Sequence, residues 1–403
     1  MPLLALLACT RPDLPAPDPL SVDEELLRTE LTALPHREGS QPTIVLIVLD
    51  TFREDRLAAW GGEGLTPNLD AWGQQSAVYT GMQSVSSWTL PAHASLFTGH
   101  WPRRHGAEGS PPTQPGQAGR PLGPELPTLA ERLRDEGWLT VGIAANRGFL
   151  NKGWGLDRGF QLWLCSALEP ASPSQNYVPA DRMVAMAQQV LEDREDEPLF
   201  LFLNFMDTHT PWVTRAGFGD PPRDPDLLLD PEGRATRWKT VRGEVLRGER
   251  LPTELELQVW GEAYDAEVRW LDHQLGGLLK TLEGPDLYTV VLSDHGEFLG
   301  EHGLLEHSKA LYSEVTQVPL MIRGPGFSPG LDPTPVQTAD VPDLLLAALG
   351  LPVLTQEKTE DLLVSELYWA RRKERSDPVL RARFDHIQRS YTVDGHRLIE
   401  HSS

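Results

Sequence analysis

Four short runs of nearly unbroken apolar residues constrain this chain more than any other feature. They are Thr43–Asp50 (TIVLIVLD), Leu139–Asn146 (LTVGIAAN), Pro198–Asp207 (PLFLFLNFMD) and Leu287–Asp294 (LYTVVLSD), and Val318–Arg323 (VPLMIR) is a fifth of the same kind. None alternates between apolar and polar positions. Continuous apolar segments of this length suit central strands buried on both faces, and none reaches the roughly 18–20 residues of a membrane-spanning helix. Amphipathic stretches lie between them. Pro127–Gly137 opens on Pro and stops at Gly, Ala180–Arg194 spaces Met, Val and Leu between charges, and Thr253–Glu283 carries a long apolar stripe. Strands alternating with helices predict βαβ units, and so an α/β fold with a mostly parallel central sheet flanked by helices. A chain of 403 residues, 40% of them apolar, suffices for one large domain with an appendage.

The chemistry gathers where the strands end. Three runs finish in acid, at Asp50, Asp207 and Asp294, with His295 directly after the last and Asn146 closing a fourth. In a parallel sheet the C-terminal ends of the strands share one edge, where ligands bind. A single Asp after a strand is most often a helix N-cap, but three of them with a histidine point to a shared site. Carboxylate oxygens with one imidazole suit one divalent cation: calcium, magnesium, manganese or zinc. Within Ser84–Gly106, Thr89 precedes Pro91 and Gly99 follows, which predicts a short helix with the Thr89 hydroxyl at its N-terminus. That end of a helix favours a bound phosphate or sulfate. The charge balance, 36 Lys and Arg against 58 Asp and Glu for a net −22, argues against a nucleic-acid partner. It does not exclude an anionic substrate, because a metal ion sets the sign of its own pocket. Two cysteines, Cys9 and Cys165, exclude a disulfide framework.

The ends of the chain read differently. Leu6-Leu7-Ala8-Cys9 resembles a lipobox, which predicts a lipoprotein signal over 1–9, lipidation of Cys9 and an extracytoplasmic, membrane-anchored protein. Residues 10–42, Pro-rich and acidic, read as a tether. Residues 108–125 are a Pro/Gly-rich loop, and 215–251 read as an insertion over one edge of a catalytic domain spanning 43–350. Residues 351–403 predict one charged helix, Glu357–Arg375, and a hairpin turning at Asp394-Gly395.

At this point a resemblance becomes specific. The stretches IVLIVLDTFREDRLAAWGG, TLPAHASLFTGHWPRRHG, FMDTHTPW, YDAEVRWLD, LSDHGEFLGEHGLLEHSKALYSEVTQVPLMIRGPG and VQTADVPDLLLAALG occur in order over roughly 43–350. Together they resemble the sulfatase branch of the alkaline phosphatase superfamily. The resemblance implies a metal site at the strand ends and hydrolysis of phosphate or sulfate esters. It assigns Asp50, Asp294 and His295 as metal ligands, with Thr89 as ligand and nucleophile at the position where sulfatases mature a Cys or Ser to formylglycine. His209 matches the histidine that faces the anionic group, and with Lys309 it would hold the non-bridging oxygens or protonate the leaving group. Lys309 lies in a segment supplying further catalytic and substrate contacts, with His302 and His307 nearby. His93 and Asn146 fall at further substrate-contact positions.

The departures from the pattern are as informative. Thr89 is not a substrate for the oxidation that makes formylglycine. His93 replaces the motif arginine, and Thr51 replaces the second aspartate of the metal pair. Relatives that use Thr as a direct nucleophile, such as nucleotide pyrophosphatase/phosphodiesterases and lipoteichoic acid synthases, cleave phosphoesters. The expected activity is therefore a metal-dependent ester hydrolase preferring phosphoesters. Two alternatives stand beside it: a transferase moving a phospho-headgroup onto an envelope acceptor, and a non-catalytic binding lipoprotein on a degenerate scaffold.

Overall fold

The computed structural model describes residues 22–402 apart from 63, 112–118, 166, 169, 171–176, 214, 229–236 and 356–361. Cys9 lies outside the described residues. The apolar runs become strands of one sheet: β1 (Thr43–Leu49), β2 (Ala77–Gln83), β3 (Leu139–Ala144), β4 (Leu162–Leu164), β5 (Leu199–Phe205) and β6 (Leu287–Leu292). A two-residue ladder, β7 (Phe298–Leu299) with β8 (Leu305–Glu306), precedes β9 (Leu320–Arg323) and β10 (Gly330–Gln337). Among the described residues the large sheet has eight strands in the order β10-β2-β9-β6-β1-β5-β3-β4. Only β9 runs against its neighbours, β2 and β6.

Side chains along β1 alternate between two cores. Val45, Ile47 and Leu49 pack with the helices Ala180–Asp193 and Glu254–Thr281, while Ile44, Leu46 and Val48 pack with the helices Thr89–Thr98, Leu129–Asp135 and Val341–Ala348. Two buried faces explain why the runs are apolar at every position. The register sets up the site. Val48 lies between Asn204 of β5 and Leu292 of β6, and Ala144 of β3 pairs with Asn204. The polar residues just beyond these strands therefore leave the sheet at one edge.

Three segments differ from the sequence reading. Val22–Thr32, inside the predicted tether, is a helix that docks on the domain. Its Leu27 and Leu31 are buried, and Arg28 donates to Gln189 at 3.0 Å. The Leu27/Leu31 spacing places both on one helix face, a signal the surrounding prolines and acids masked. Within 215–251, Arg237–Arg247 is a helix whose Trp238, Val241, Val245 and Leu246 join the core. The charged helix predicted over Glu357–Arg375 is instead a strand, β11 (Leu363–Tyr368), followed by a single turn of helix at Arg372–Arg375. The charges after Glu366 sit beyond the strand, in Arg371–Arg375. β11 lies antiparallel on β12 (Ile387–Val393), with Glu366 opposite Arg389, and Gln337 Oε1 accepts from Val364 N at 3.1 Å. β12 and β13 (His396–Ser402) form the predicted hairpin, with Asp394 and Gly395 both at positive φ, 48° and 74°.

Candidate active site

Asp50 follows β1 directly, and its backbone N–H still donates to Phe205 O at 2.9 Å. Asp294 and His295 follow β6, so three side chains separated by most of the chain meet at one edge. The ligand atoms of Asp50, Asp294 and His295 lie within 4.8 Å of one another, all fully buried. Each is held by its neighbours. Asn146, at the end of β3, donates from Nδ2 to Asp50 Oδ2 at 2.9 Å, and its own Oδ1 accepts from Gly148 N and Phe149 N, both at 3.0 Å. Asp294 Oδ1 accepts from His295 N at 2.9 Å and Thr51 N at 3.3 Å. His295 donates from Nδ1 to Gly296 O at 3.0 Å, which leaves the Nε2 lone pair facing the carboxylates.

The remaining oxygens have no partner. Asp50 Oδ1 and Asp294 Oδ2 are buried without a hydrogen bond, at 3.9 Å and 3.4 Å from His295 Nε2. Burial pushes the Asp50 carboxyl up to about 7, against a pull down from Asn146 and Asn204. Burial, and then the charge of Asp50, lifts Asp294 well above the usual carboxylate range. Burial lowers the His295 imidazole to about 3, so it is the neutral form that ligates metals. Two buried carboxylates that repel each other across an imidazole lone pair have the donor set of a divalent cation site. These residues fit the metal that the resemblance implies.

Thr89 is the first residue of the helix Thr89–Thr98, which ends at Gly99 with φ 74°. Its Oγ1 lies 3.2 Å from His295 Nε2. The hydroxyl thus meets the carboxylate–imidazole group at the positive end of a helix. Thr51, where a second aspartate was expected, holds a positive φ of 61°, and its Oγ1 donates back to Asp50 O at 2.6 Å. Its carbonyl accepts from Tyr264 OH at 2.8 Å, so a strained residue next to a ligand is fixed from both sides.

The other sequence-predicted residues divide. His307 is buried, with its ring 4.5 Å from His295 and 4.9 Å from His209, and Nδ1 3.0 Å from Glu297 Oε1. Sequence reasoning missed Glu297; its position in Asp294-His295-Gly296-Glu297 was the available signal. His209 is half-buried beside His307, with Nδ1 against Thr210 O. His93 is fully buried, with Nδ1 donating to Thr89 O at 3.0 Å and lying 3.5 Å from Asp294 Oδ2. Its ring packs edge-on against Phe97 and Phe202, and burial lowers it to about 4. It is a neutral wall behind Asp294, not the substrate contact expected. Asn146 likewise holds Asp50. His302 turns to the surface, stacked on Tyr312 at 3.9 Å and 3.0 Å from Glu314 Oε1. Lys309 is buried, donating to Glu374 Oε1 at 3.0 Å and His307 O at 3.2 Å, with Glu306 Oε2 at 3.6 Å. It shares these two carboxylates with Arg242, which is 2.6 Å from both Glu306 oxygens and 3.9 Å from Glu374 Oε1. Asp207 accepts from Ala180 N, Trp270 Nε1 and Arg215, which makes it a structural anchor.

Residues 42–351, well over half of the chain, match the family model for sulfatases. Choline-sulfatase of Rhizobium meliloti is 26% identical over 84% of this chain and 73% of its own length. The multifunctional alkaline phosphatase superfamily protein PehA of Trinickia caryophylli is 24% identical over 71% of this chain and 69% of its own. Among solved structures, phosphonate monoester hydrolase SpPMH from Silicibacter pomeroyi superposes with TM-score 0.65 at 18% identity, covering 90% of this chain and 87% of that one.

Proposed function

The chain belongs to the sulfatase family, a hydrolase family acting on sulfate or phosphate esters, and from that premise we propose that it cleaves phosphate esters with Thr89 as nucleophile. The observation that carries this reading is the Thr89 hydroxyl, 3.2 Å from His295 Nε2 and beside two buried carboxylate oxygens that lack partners. Asp50, Asp294 and His295 would hold the metal, with Thr89 Oγ1 beside them. When bound, a divalent ion lowers the pKa of a hydroxyl it contacts and offsets charge on the transferred group.

This chain's own residues supply the rest. Thr89 Oγ gives up its proton to solvent water and attacks phosphorus, and the bond from phosphorus to the leaving oxygen breaks. His209, half-buried beside His307, donates the proton that the leaving oxygen takes. Water then attacks phosphorus, the Thr89 Oγ–phosphorus bond breaks, and the hydroxyl is restored. The helix N-terminus behind Thr89 favours the anionic group throughout.

The preference for phosphorus follows from the single hydroxyl. A formylglycine hydrate expels sulfate through its second hydroxyl. A threonine sulfate has no such exit, whereas a threonine phosphate is cleared by water at phosphorus. Purified protein with added divalent metal should turn over aryl phosphate mono- or diesters faster than aryl sulfates. Thr89→Ala should lose at least about a thousandfold in kcat, in line with removal of a covalent nucleophile, and keep its metal affinity. Faster aryl sulfate turnover would overturn the preference, and full activity in Thr89→Ala would overturn the nucleophile.

A further inference from the structure

Glu297 is a buried acid that the site motifs did not predict, and the fold gives it two histidine-bearing segments to hold. The short β7–β8 ladder explains the first. Phe298 pairs with Glu306 and Leu299 with Leu305, so Glu297 and His307 stand opposite each other one step beyond the last pair. Glu297 Oε1 lies 3.0 Å from His307 Nδ1. The second segment is that of His209, where the N–H of Thr210 donates to Glu297 Oε2 at 3.4 Å. One carboxylate therefore ties down both imidazoles, whose rings stand 4.9 Å apart. The His307 ring is also 4.5 Å from that of His295. Glu297 thus links the proton donor of the proposed reaction to a proposed metal ligand.

Neither segment is loosely built. His307 is flanked by two residues at positive φ, Glu306 at 63° and Ser308 at 56°. Such strain in non-glycine residues persists only where the surroundings impose it, and it gathers at functional sites. Arg242 grips both oxygens of Glu306 at 2.6 Å, and Ser308 N donates to Ser87 O at 2.8 Å, two residues before Thr89. On the His209 side, Thr208 Oγ1 donates to Asp50 O at 2.7 Å. Glu297 is itself fixed: its carbonyl accepts from Arg53 Nη1 at 3.1 Å, and Arg53 pairs with Glu301 at 2.6 Å. The Glu297 side chain is fully buried, and among the described residues its ion-pair partner is an imidazole, not a Lys or Arg. A buried carboxylate is a costly way to pin a loop. What it offers that a neutral amide does not is two acceptor oxygens for two donors.

We propose that Glu297 is a positioning residue for departure of the leaving group: it fixes His307 and the His209 segment against each other, and so holds the His209 imidazole where the leaving oxygen takes its proton. The proposal rests on the reading of His209 as proton donor, but not on Thr89 as nucleophile or on phosphorus over sulfur. Glu297 touches no reacting atom; it acts through His209.

The test is leaving-group dependence. When the bond to the leaving oxygen breaks, a phenoxide needs a proton to depart, whereas a 2,4-dinitrophenoxide leaves without one. The measurement is kcat/KM of the metal-loaded full chain on phenyl and 2,4-dinitrophenyl phosphate, or on the matching sulfates if these are turned over faster. Wild type, Glu297→Gln, His209→Ala and the double variant are compared. Glutamine is isosteric but has one acceptor oxygen, so it keeps one tie and not both. Glu297→Gln should lose about 10–100-fold on the phenyl ester and at most about threefold on the dinitrophenyl ester. His209→Ala should show the same selective loss, and adding Glu297→Gln to it should cost little more. The ratio between the two esters is read on one sample, so a misfolded or metal-poor fraction cancels. Equal losses on both esters in Glu297→Gln, or a full further selective loss in the His209→Ala background, overturn the proposal. A selective loss in His209→Ala but not in Glu297→Gln overturns the role of Glu297 alone. No selective loss in His209→Ala removes the proton-donor reading, and this proposal with it.

Discussion

Replacing Asn146 with alanine isolates how much of metal binding depends on residues that never touch the metal. Asn146 Nδ2 is the donor that orients Asp50 Oδ2, at 2.9 Å, while Oδ1 of the same carboxylate is left facing His295. Removing such a partner weakens metal affinity about 10–100-fold in comparable sites. Take about 30-fold, within that range. At a metal concentration of 100 times Kd, binding stabilises the wild type by about 2.7 kcal/mol; at the same concentration a 30-fold weaker site contributes about 0.9 kcal/mol. The difference, about 1.8 kcal/mol, is the expected loss of metal-dependent stabilisation. The substitution also removes the acceptor for Gly148 N and Phe149 N, a cost that appears with and without metal. Melts of each protein with excess metal and with chelator separate the two. Titration calorimetry then gives Kd directly. At saturating metal the variant should retain a near-normal KM, because Asn146 acts on Asp50 and not on substrate. A wild-type Kd in Asn146→Ala, or an unchanged stabilisation by metal, would refute the reasoning.

Two further outcomes follow from other parts of the molecule. Burial pushes Glu267 up to about 8, only partly offset by Arg215, so the folded state binds a proton that the unfolded state releases from about 4.5 upward; stability should fall as pH rises through that window, and when unfolding is followed in urea at pH 5 and pH 8.5 the fall should be smaller in Glu267→Gln than in wild type, the remainder coming from Asp50, Asp294 and the other buried carboxyls raised by burial. We also propose the Cys9 acyl anchor: Cys9→Ser should abolish palmitate labelling and release the protein from the membrane fraction, and labelling that persists in the variant would count against it.

What was legible in the sequence was whatever a single strand imposes on its own residues. TIVLIVLD must be buried on both sides, and a sheet of such strands must bring Asp50 and Asp294 to one edge. The helix at Thr89 was legible from Pro91 and Gly99, because capping chemistry is local. What was not legible depends on partners far away in sequence. Lys309 looks like a free cation beside two histidines until Glu374, 65 residues on, is brought against it. His302 and His307 are five positions apart in one loop, yet one faces Glu314 at the surface and the other Glu297 in the pocket. Glycine at 300 and 303 and a positive φ of 57° at His302 turn the chain between them. β11, LVSELY, runs into the charged stretch Arg371–Arg375 and so reads as part of one helix, whereas its pairing with β12 makes it a strand.

The two departures from the family motif are best understood together. A sulfatase-like site was expected to carry a further carboxylate at position 51 and a guanidinium at position 93, opposite charges that offset each other. Here both are neutral. Thr51 uses its backbone N–H to bond Asp294 Oδ1 at 3.3 Å, and His93 bonds Thr89 O as an uncharged ring. Removing one negative and one positive group leaves the net charge of the first layer unchanged but simplifies it to two carboxylates. One divalent cation balances these, which agrees with a single group of three ligands among the described residues. Such a balanced centre holds no surplus positive charge for a doubly charged ester. A second layer has to provide it, and within that layer Lys309 is already matched by Glu306 and Glu374. The shortage of cations is therefore a property of the strand-end motifs themselves.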